Sequence, residues 1–323
     1  MKKINYNFEG RLKKEFPSQI LVDITEVCNL GCIHCPHPDF KVSQHYSAQY
    51  IDKKLNEKLV DEVRQHGKGL TQYIRYASNG EPLIHPHAFD MLDYAVQNSG
   101  TLVTLTTNGT ILNEKRIRKL IKSGLHMIDV SIDAFKEETY KVIRKGGDLK
   151  VTRKNVIRLL EIIQEEKSEA KVIVSFVKQD ENKDEADDFY NFWKKAGVND
   201  VLIREQHSCS GAKEEIKFYK NSKNIERRPC VYPWERIVLN ARGDLSFCPS
   251  DWGHGSFITN YKDNTIKEIW NGDFYKKLRD AHVKNDFEKF KFCGQCPDWE
   301  TTYWPSQEKK AYADLIQRNF MDE

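Results

Sequence analysis

Three cysteines, Cys28, Cys32 and Cys35, lie in a CxxxCxxC loop directly after a short apolar run. Thiolates this close together can hold three irons of a cubane iron–sulfur cluster. The fourth iron then lacks a protein ligand and is open to a cofactor or a substrate. A zinc site is the alternative, but structural zinc sites have four closed ligands and usually paired CxxC motifs. The spacing therefore favours a cluster with one open iron.

Four more cysteines form a second set that ends in a CxxC pair. They are Cys230, Cys248, Cys293 and Cys296. Four thiolates are sufficient to ligate a cluster completely. A closed cluster has no site for a substrate, so we expect this set to serve electron transfer or electrostatics. A structural zinc held by four cysteines is the alternative.

Composition and charge limit the class of protein. The chain has 323 residues, 39% hydrophobic and 31% charged, which allows a buried core but no bilayer-spanning run. The N-terminal segment has no apolar run of signal-peptide length. We therefore expect a cytoplasmic protein whose eight cysteines are metal ligands or catalytic thiols rather than disulfides. The net charge of +3 is spread along the chain, so neither nucleic acid nor a membrane is expected as a partner.

Short apolar runs and helical segments alternate over the first two thirds of the chain. The runs predict β-strands at 19–24, 72–77, 102–107, 127–132, 171–177 and 201–204. Of the helical segments between them, the first is expected to be capped by Ser47 and to end at Gly67. This alternation indicates parallel strands with right-handed crossovers, in a barrel-like or a doubly wound sheet.

The pattern changes after residue 206, where a polar stretch leads into hairpin-like pieces that carry the second cysteine set. We expect an N-terminal extension, an α/β domain, a linker, a small α+β domain and a C-terminal amphipathic helix. Their predicted bounds are 1–17, 18–206, 207–228, 229–300 and 301–323.

The CxxxCxxC loop, with His34 before its third cysteine, resembles the signature of the radical S-adenosylmethionine (SAM) superfamily. This resemblance implies a partial (β/α)6 barrel, a [4Fe–4S] cluster on the three cysteines and SAM on the open iron. Reductive cleavage of SAM would then give a 5′-deoxyadenosyl radical that abstracts hydrogen from the substrate.

Short motifs at the ends of the later strands are similar to family segments that line the SAM pocket. Such strand ends converge in parallel βα architectures. The segment 78–82 departs from the commoner Gly-Gly-Glu-Pro at Asn79. Taken alone, these residues are also consistent with a turn, helix caps and a solvated arginine. The SAM-binding residues that the resemblance implies are Gly80, Glu81, Asn108, Ser131, Asp133 and Arg144.

The second cysteine set lies among segments that look like the SPASM, or shorter twitch, domain. These segments are 230–234, 243–249, 267–271 and 293–296. The resemblance implies one auxiliary [4Fe–4S] cluster, and therefore two clusters in the chain. A narrower likeness to sugar and aminocyclitol dehydrogenases and epimerases implies a small polar substrate. A low-potential electron donor such as flavodoxin or ferredoxin is the implied partner.

The loop after the sixth predicted strand holds Glu205, His207 and Cys209. A thiol can return a hydrogen atom to a carbon radical, which would give epimerisation. Without that donor, loss of a proton to Glu205 or His207 and of one electron would give dehydrogenation. Solvated loop residues and a spare half-buried cysteine are the alternatives. There are two rival functions. One is the radical modification of a peptide, and the other is a non-catalytic role as a zinc protein that binds a partner.

Overall fold

The central sheet of the computed structural model contains six parallel strands that pair in chain order. The structure describes residues 6–77, 79–213, 226–305, 307 and 312–321. Strands in chain order form a barrel-like α/β sheet, and the order excludes the doubly wound alternative. The predicted partial barrel is confirmed. The six strands are β1 (Gln19–Val22), β3 (Tyr73–Tyr76), β4 (Leu102–Thr107), β5 (Met127–Ser131), β7 (Lys171–Lys178) and β8 (Asp200–Glu205).

Helices connect these strands and cover one face of the sheet. Asp52 caps the first long helix by accepting from the Lys54 amide, so the expectation that Ser47 caps it is wrong. The Ser47 amide instead donates to the Glu26 carboxylate at 3.0 Å. The helices of this part are α1 (His37–Lys41), α2 (Lys53–Glu62), α3 (Ala88–Asn98), α4 (Glu114–Lys122), α5 (Glu137–Ile143), α6 (Leu149–Glu165) and α7 (Ala186–Ala196). A short antiparallel pair links β2 (Gly31–Cys32) to β6 (Arg144–Lys145).

The cysteine-rich region extends the same sheet. Strand β9 (Arg236–Leu239) pairs in parallel with β1, and β10 (Asp244–Ser246) and β11 (Phe257–Asn260) follow as antiparallel strands. The described residues thus form a nine-stranded sheet that continues across the predicted linker. The remaining helices are α8 (Tyr232–Glu235), α9 (Ile266–Asn271), α10 (Asp273–Lys284), α11 (Lys291–Gln295) and α12 (Tyr312–Phe320).

Side chains inside the barrel lie in layers, because alternate residues of each strand point to the same face. The deepest layer is apolar and packs against Leu315 and Ile316 of α12. Burying each aliphatic side chain of this size contributes roughly 1.5–3 kcal/mol. Helix α12, the C-terminal amphipathic helix, therefore fills the end of the barrel that lies opposite the carboxyl ends of the strands. The strand residues of this layer are Tyr73, Leu102, Met127, Ile173 and Leu202.

Helix α2 also fastens the cysteine-rich region to the barrel. The Lys58 ammonium donates to the carbonyls of Tyr261, Lys262 and Asn264 at 2.7, 2.9 and 2.8 Å. It also lies 4.4 Å from the centre of the Tyr261 ring. One turn further on, Glu62 accepts from the Tyr261 hydroxyl at 2.7 Å.

No helix in the described part of the chain has both the length and the apolar character needed to cross a bilayer.

Candidate functional site

A cleft opens at the carboxyl ends of the barrel strands, with about 660 Å³ of space outside the protein atoms. It is the place where loops from successive parallel strands meet. The three cysteines of the first set border this cleft together with most of the expected SAM-binding residues. Its lining includes Cys28, Cys32, Cys35, Gly80, Glu81, Asn108, Ser131 and Arg144.

The cysteines of the cleft are in a setting that suits a cluster better than free thiolates. Burial, together with the charge of Cys32, raises the pKa of Cys28 to about 11 and that of Cys35 to about 12. A bound cluster supplies the positive charge that reverses this preference. Within the described ranges, no three His, Cys, Asp or Glu side chains converge closely enough to hold a single metal ion. Ligation of a cluster by these cysteines stays a prediction.

Gly80 and Glu81 shape the wall of the cleft beside the cysteines. A Cβ atom on Gly80 would lie 2.2 Å from the Thr25 carbonyl oxygen, so only glycine fits there. The Glu81 carboxylate accepts from the Thr107 hydroxyl and the Asn108 amide, both at 2.7 Å, and from the Leu83 amide at 3.2 Å. Burial raises the pKa of Glu81, and these bonds oppose the rise. Glu81 thus joins the turn after β3 to the end of β4.

Asp23 is a positioning residue that the sequence reasoning missed. It is 3% exposed, and its carboxylate accepts backbone hydrogen bonds from Asn79, Thr25 and Gly80, while burial raises its pKa well above the usual value. Asp23 therefore lies behind the turn that contains Asn79 and Gly80 and holds it at the border of the cleft. Its position directly after β1, as a charged residue at a strand end, is the signal that would have identified it.

Asp133 and Arg144 have different positions relative to the cleft. Arg144 lines it, whereas Asp133 is fully buried behind it. The Asp133 carboxylate accepts from Arg144 Nε at 2.8 Å and from the Val177 amide at 2.7 Å. His34 Nε2 lies 3.5 Å from the same carboxylate, and burial lowers the pKa of His34 to about 4. The structure therefore places Asp133 as a residue that orients Arg144 and His34 rather than as one that faces the cofactor space.

The second cysteine set borders a separate cavity with about 540 Å³ of open space. Cys230, Cys248, Cys293 and Cys296 all line it, so the fold brings together residues up to 66 positions apart in sequence, from Cys230 to Cys296. Burial is the largest cause of the raised pKa of these thiols, to about 12 for Cys230. All four thiols therefore border one cavity, and ligation of a cluster by them stays a prediction.

Two buried nitrogen donors of this cavity have no hydrogen-bond partner in the described structure. They are Nε2 of His282 and Nε of Arg227. His282 is 4% exposed, and its Nδ1 accepts from the Cys230 amide at 3.4 Å, which leaves the proton on Nε2. Buried donors are normally paired. An anionic iron–sulfur cluster would supply the missing acceptors, so the residues of this cavity fit such a group.

The loop after β8 lies between the cleft and the cavity. Burial and the nearby charge of Cys35 raise the pKa of Cys209, while the Ser210 hydroxyl lies 3.6 Å from the Cys248 sulfur. His207 lines the cavity of the second set and lies 3.4 Å from Asp298. The Asp298 carboxylate also accepts from the amide of Ser210 at 2.6 Å and so holds the loop in place.

Glu205 is not brought to the cleft. The sequence predicts that the sixth strand ends at 204, but β8 runs through Glu205. Since strand side chains alternate, Glu205 lies on the face opposite Arg204, and it is exposed. Arg204 instead approaches Ser175 and Asp129 inside the barrel. The placement of Glu205 does not support the expected role as a base.

Comparisons with known proteins agree with this geometry. The family model of the Radical SAM superfamily matches residues 22–192, more than half of the chain, and the SPASM iron–sulfur cluster-binding domain matches 230–297. GTP 3′,8-cyclase of Clostridium botulinum is 30% identical over 206 residues, which are 63% of this chain and 61% of that protein. The chain thus spans less than two thirds of that relative.

Two solved structures have a similar fold. BtrN in complex with AdoMet and 2-DOIA has a TM-score of 0.58 and 17% identity, covering 92% of this chain and 97% of BtrN. Streptococcus suis SuiB bound to the precursor peptide SuiA has a TM-score of 0.67 and 14% identity, covering 94% of this chain and 73% of SuiB. At these identities the likeness concerns the fold alone.

Proposed function

The chain belongs to the radical SAM superfamily, and from that premise we propose that it abstracts hydrogen from a small polar substrate held at the mouth of the barrel. Its cofactors are [4Fe–4S] clusters and SAM. The observation that carries the proposal is the cleft in which Cys28, Cys32 and Cys35 lie beside Glu81 and Arg144.

We assign the first cysteine set to the cluster that binds SAM and the second set to the auxiliary cluster. When bound, the first cluster and SAM supply a 5′-deoxyadenosyl radical. The protein itself binds and orients the substrate and excludes water. Gly80 and Asn108 line the space for SAM, and Arg144, held by Asp133, offers a guanidinium to the methionine carboxylate.

As substrate we propose a carbohydrate or cyclitol. The support is that BtrN, which shares the fold over 92% of this chain, was solved with 2-DOIA. SuiB shares the fold with a precursor peptide bound, so a peptide substrate is the rival.

Cys209 is the proposed hydrogen donor. Its thiol lies in the loop between the two cysteine sets, close enough to Cys35 for the two charges to interact. After a hydrogen atom is removed from a substrate carbon, the Cys209 S–H bond breaks and a new C–H bond forms on the opposite face. The thiyl radical left behind takes one electron from an external low-potential reductant, of the flavodoxin or ferredoxin class, and one proton. The net result is epimerisation.

Without this donation the same substrate radical is oxidised. An alcohol carbon radical would lose one proton to a base and one electron to the auxiliary cluster that the second cysteine set would hold, and so give a ketone. His207, which lines the neighbouring cavity of the second cysteine set, is the remaining candidate for that base, because Glu205 lies on the face of β8 opposite Arg204. Cys209 therefore decides between epimerisation and dehydrogenation.

Anaerobic reconstitution with iron and sulfide tests the assignment of the clusters. The protein should bind about eight irons and release 5′-deoxyadenosine from SAM under strong reductant. Replacing Cys28, Cys32 and Cys35 together by Ala should leave about four irons and no cleavage. A colourless protein that binds zinc and leaves SAM intact would refute the enzymatic function.

The role of Cys209 is tested with candidate sugars and cyclitols in deuterated water. The wild-type protein should place one deuterium on the inverted carbon. The variant Cys209→Ala should still release 5′-deoxyadenosine but give no epimerised product. Epimer formation by the variant, or product without deuterium, would refute hydrogen donation by this thiol.

A further inference from the structure

The middle layer of side chains inside the barrel is charged, although the layer beneath it is apolar. Along each strand it lies two residues beyond the apolar layer. On β4 and β5 it lies two residues before Thr106 and Ser131, which line the cleft. At about 3.3 Å per residue, this places it roughly 7 Å below the cleft. The residues of this layer are Arg75, Thr104, Asp129, Ser175 and Arg204.

Arg75 is held in this layer through its Nε and Nη2 atoms. It donates to the Thr106 hydroxyl from Nε at 3.0 Å and from Nη2 at 2.8 Å, and its Nη2 lies 3.2 Å from Asp129 Oδ2. The Tyr312 ring of α12 stacks 3.5 Å from its guanidinium. Since Thr106 also lines the cleft, Arg75 connects the charged layer to the space assigned to SAM.

Arg204 is only partly engaged. Its Nη2 lies 3.6 Å from Asp129 Oδ2 and 3.3 Å from the Ser175 hydroxyl. Its Nε is buried without a partner, although 38% of the side chain is accessible. Asp129 is fully buried and already holds Arg75 and Ser175. Two guanidinium groups therefore share one carboxylate. Asp133, whose charge also acts on Arg204, is already paired with Arg144, so the layer carries one surplus positive charge, on Arg204.

We propose that Arg204 binds an anionic oxygen group of the substrate, a phosphate or a carboxylate, on the floor of the barrel below the SAM space. A guanidinium is the side chain best suited to bind such groups, because its donors match two oxygens at once. This inference rests on the proposed function and narrows its substrate class. A surplus positive charge disfavours a cationic aminocyclitol and favours an acidic or phosphorylated sugar.

The experiment compares probes that share one sugar scaffold. Glucose 6-phosphate, glucuronate, glucose and glucosamine are titrated into the reconstituted protein with SAM, and their affinities are measured by calorimetry. One or both anionic probes should bind at least tenfold more tightly than glucose, with glucosamine weaker than glucose. Preference for glucose 6-phosphate identifies phosphate as the group, and preference for glucuronate identifies carboxylate.

The variant Arg204→Leu should abolish the tenfold preference, and Arg204→Lys should retain part of it. Arg158→Leu, on the outer face of α6 among Glu114, Glu161 and Glu165, is the matched control and should keep the preference. Iron content and melting temperature check that each variant is folded. Equal affinities for glucose and both anions, or an unchanged preference in Arg204→Leu, would overturn the inference. Failure of the proposed function is a separate result, since wild-type protein would then not cleave SAM at all.

Discussion

Replacing Lys58 by Met tests how the cysteine-rich region is held on the barrel. Methionine keeps the apolar part of the side chain and removes the ammonium, which donates to three carbonyl oxygens at 2.7 to 2.9 Å. Hydrogen bonds to charged groups contribute roughly 1.5–3 kcal/mol each when buried. Since Lys58 is only half-buried, we take about 1 kcal/mol as the contribution of each of its three hydrogen bonds. The contact with the Tyr261 ring adds about 0.5 kcal/mol.

We therefore expect Lys58→Met to lower the free energy of unfolding by about 3.5 kcal/mol. The measurement is anaerobic urea unfolding of the reconstituted protein, followed by tryptophan fluorescence. Lys53→Met is the control, because Lys53 lies on the same helix and makes an exposed pair with Glu57 at 3.8 Å, worth about 0.3–0.5 kcal/mol. If the two variants lose the same stability, the three carbonyl contacts do not hold the region in place.

Three further substitutions have defined outcomes. Glu81→Gln should weaken SAM binding and destabilise the protein by about 1–3 kcal/mol. The reason is that the NH2 group of the glutamine would face another donor, either the Leu83 or the Asn108 N–H. Unchanged SAM affinity by calorimetry would contradict this. Gly80→Ala should prevent SAM binding, since its Cβ would overlap a backbone carbonyl, and normal binding would refute that steric argument. His282→Phe should keep about eight irons but lower the reduction potential of the auxiliary cluster, measured by EPR titration. An unchanged potential would exclude a hydrogen bond from His282 Nε2 to that cluster.

The strands were predictable from the sequence because each is a short run of branched and apolar residues bounded by turn signals. The prediction for β4 was 102–107, and the structure gives Leu102–Thr107. The cleft was predictable for a second reason, because parallel strands bring their carboxyl ends together. Cys28, Glu81, Asn108 and Ser131 meet there although they are separated along the chain.

Glu205 shows why strand ends limit such predictions. A strand end that is placed one residue too early assigns Glu205 to the loop at the cleft, whereas as a strand residue it lies on the face opposite Arg204. Arg204 is a strand residue in the prediction and in the structure, but its place inside the barrel depends on the pairing of β8 with β7, which the sequence pattern does not show. The pairing of β9 with β1 was equally hidden, since it joins residues more than 200 positions apart and leaves no local pattern in either strand.

That pairing has a consequence for anyone who divides this protein. Strand β1 is hydrogen-bonded to β3 on one side and to β9 on the other. A fragment that stops after Gln206 would therefore leave one side of β1 open, and an unpaired edge recruits strands from other molecules. Exchanging the C-terminal module between relatives should succeed when the junction lies beyond Leu239, so that the host barrel keeps its own neighbouring strand.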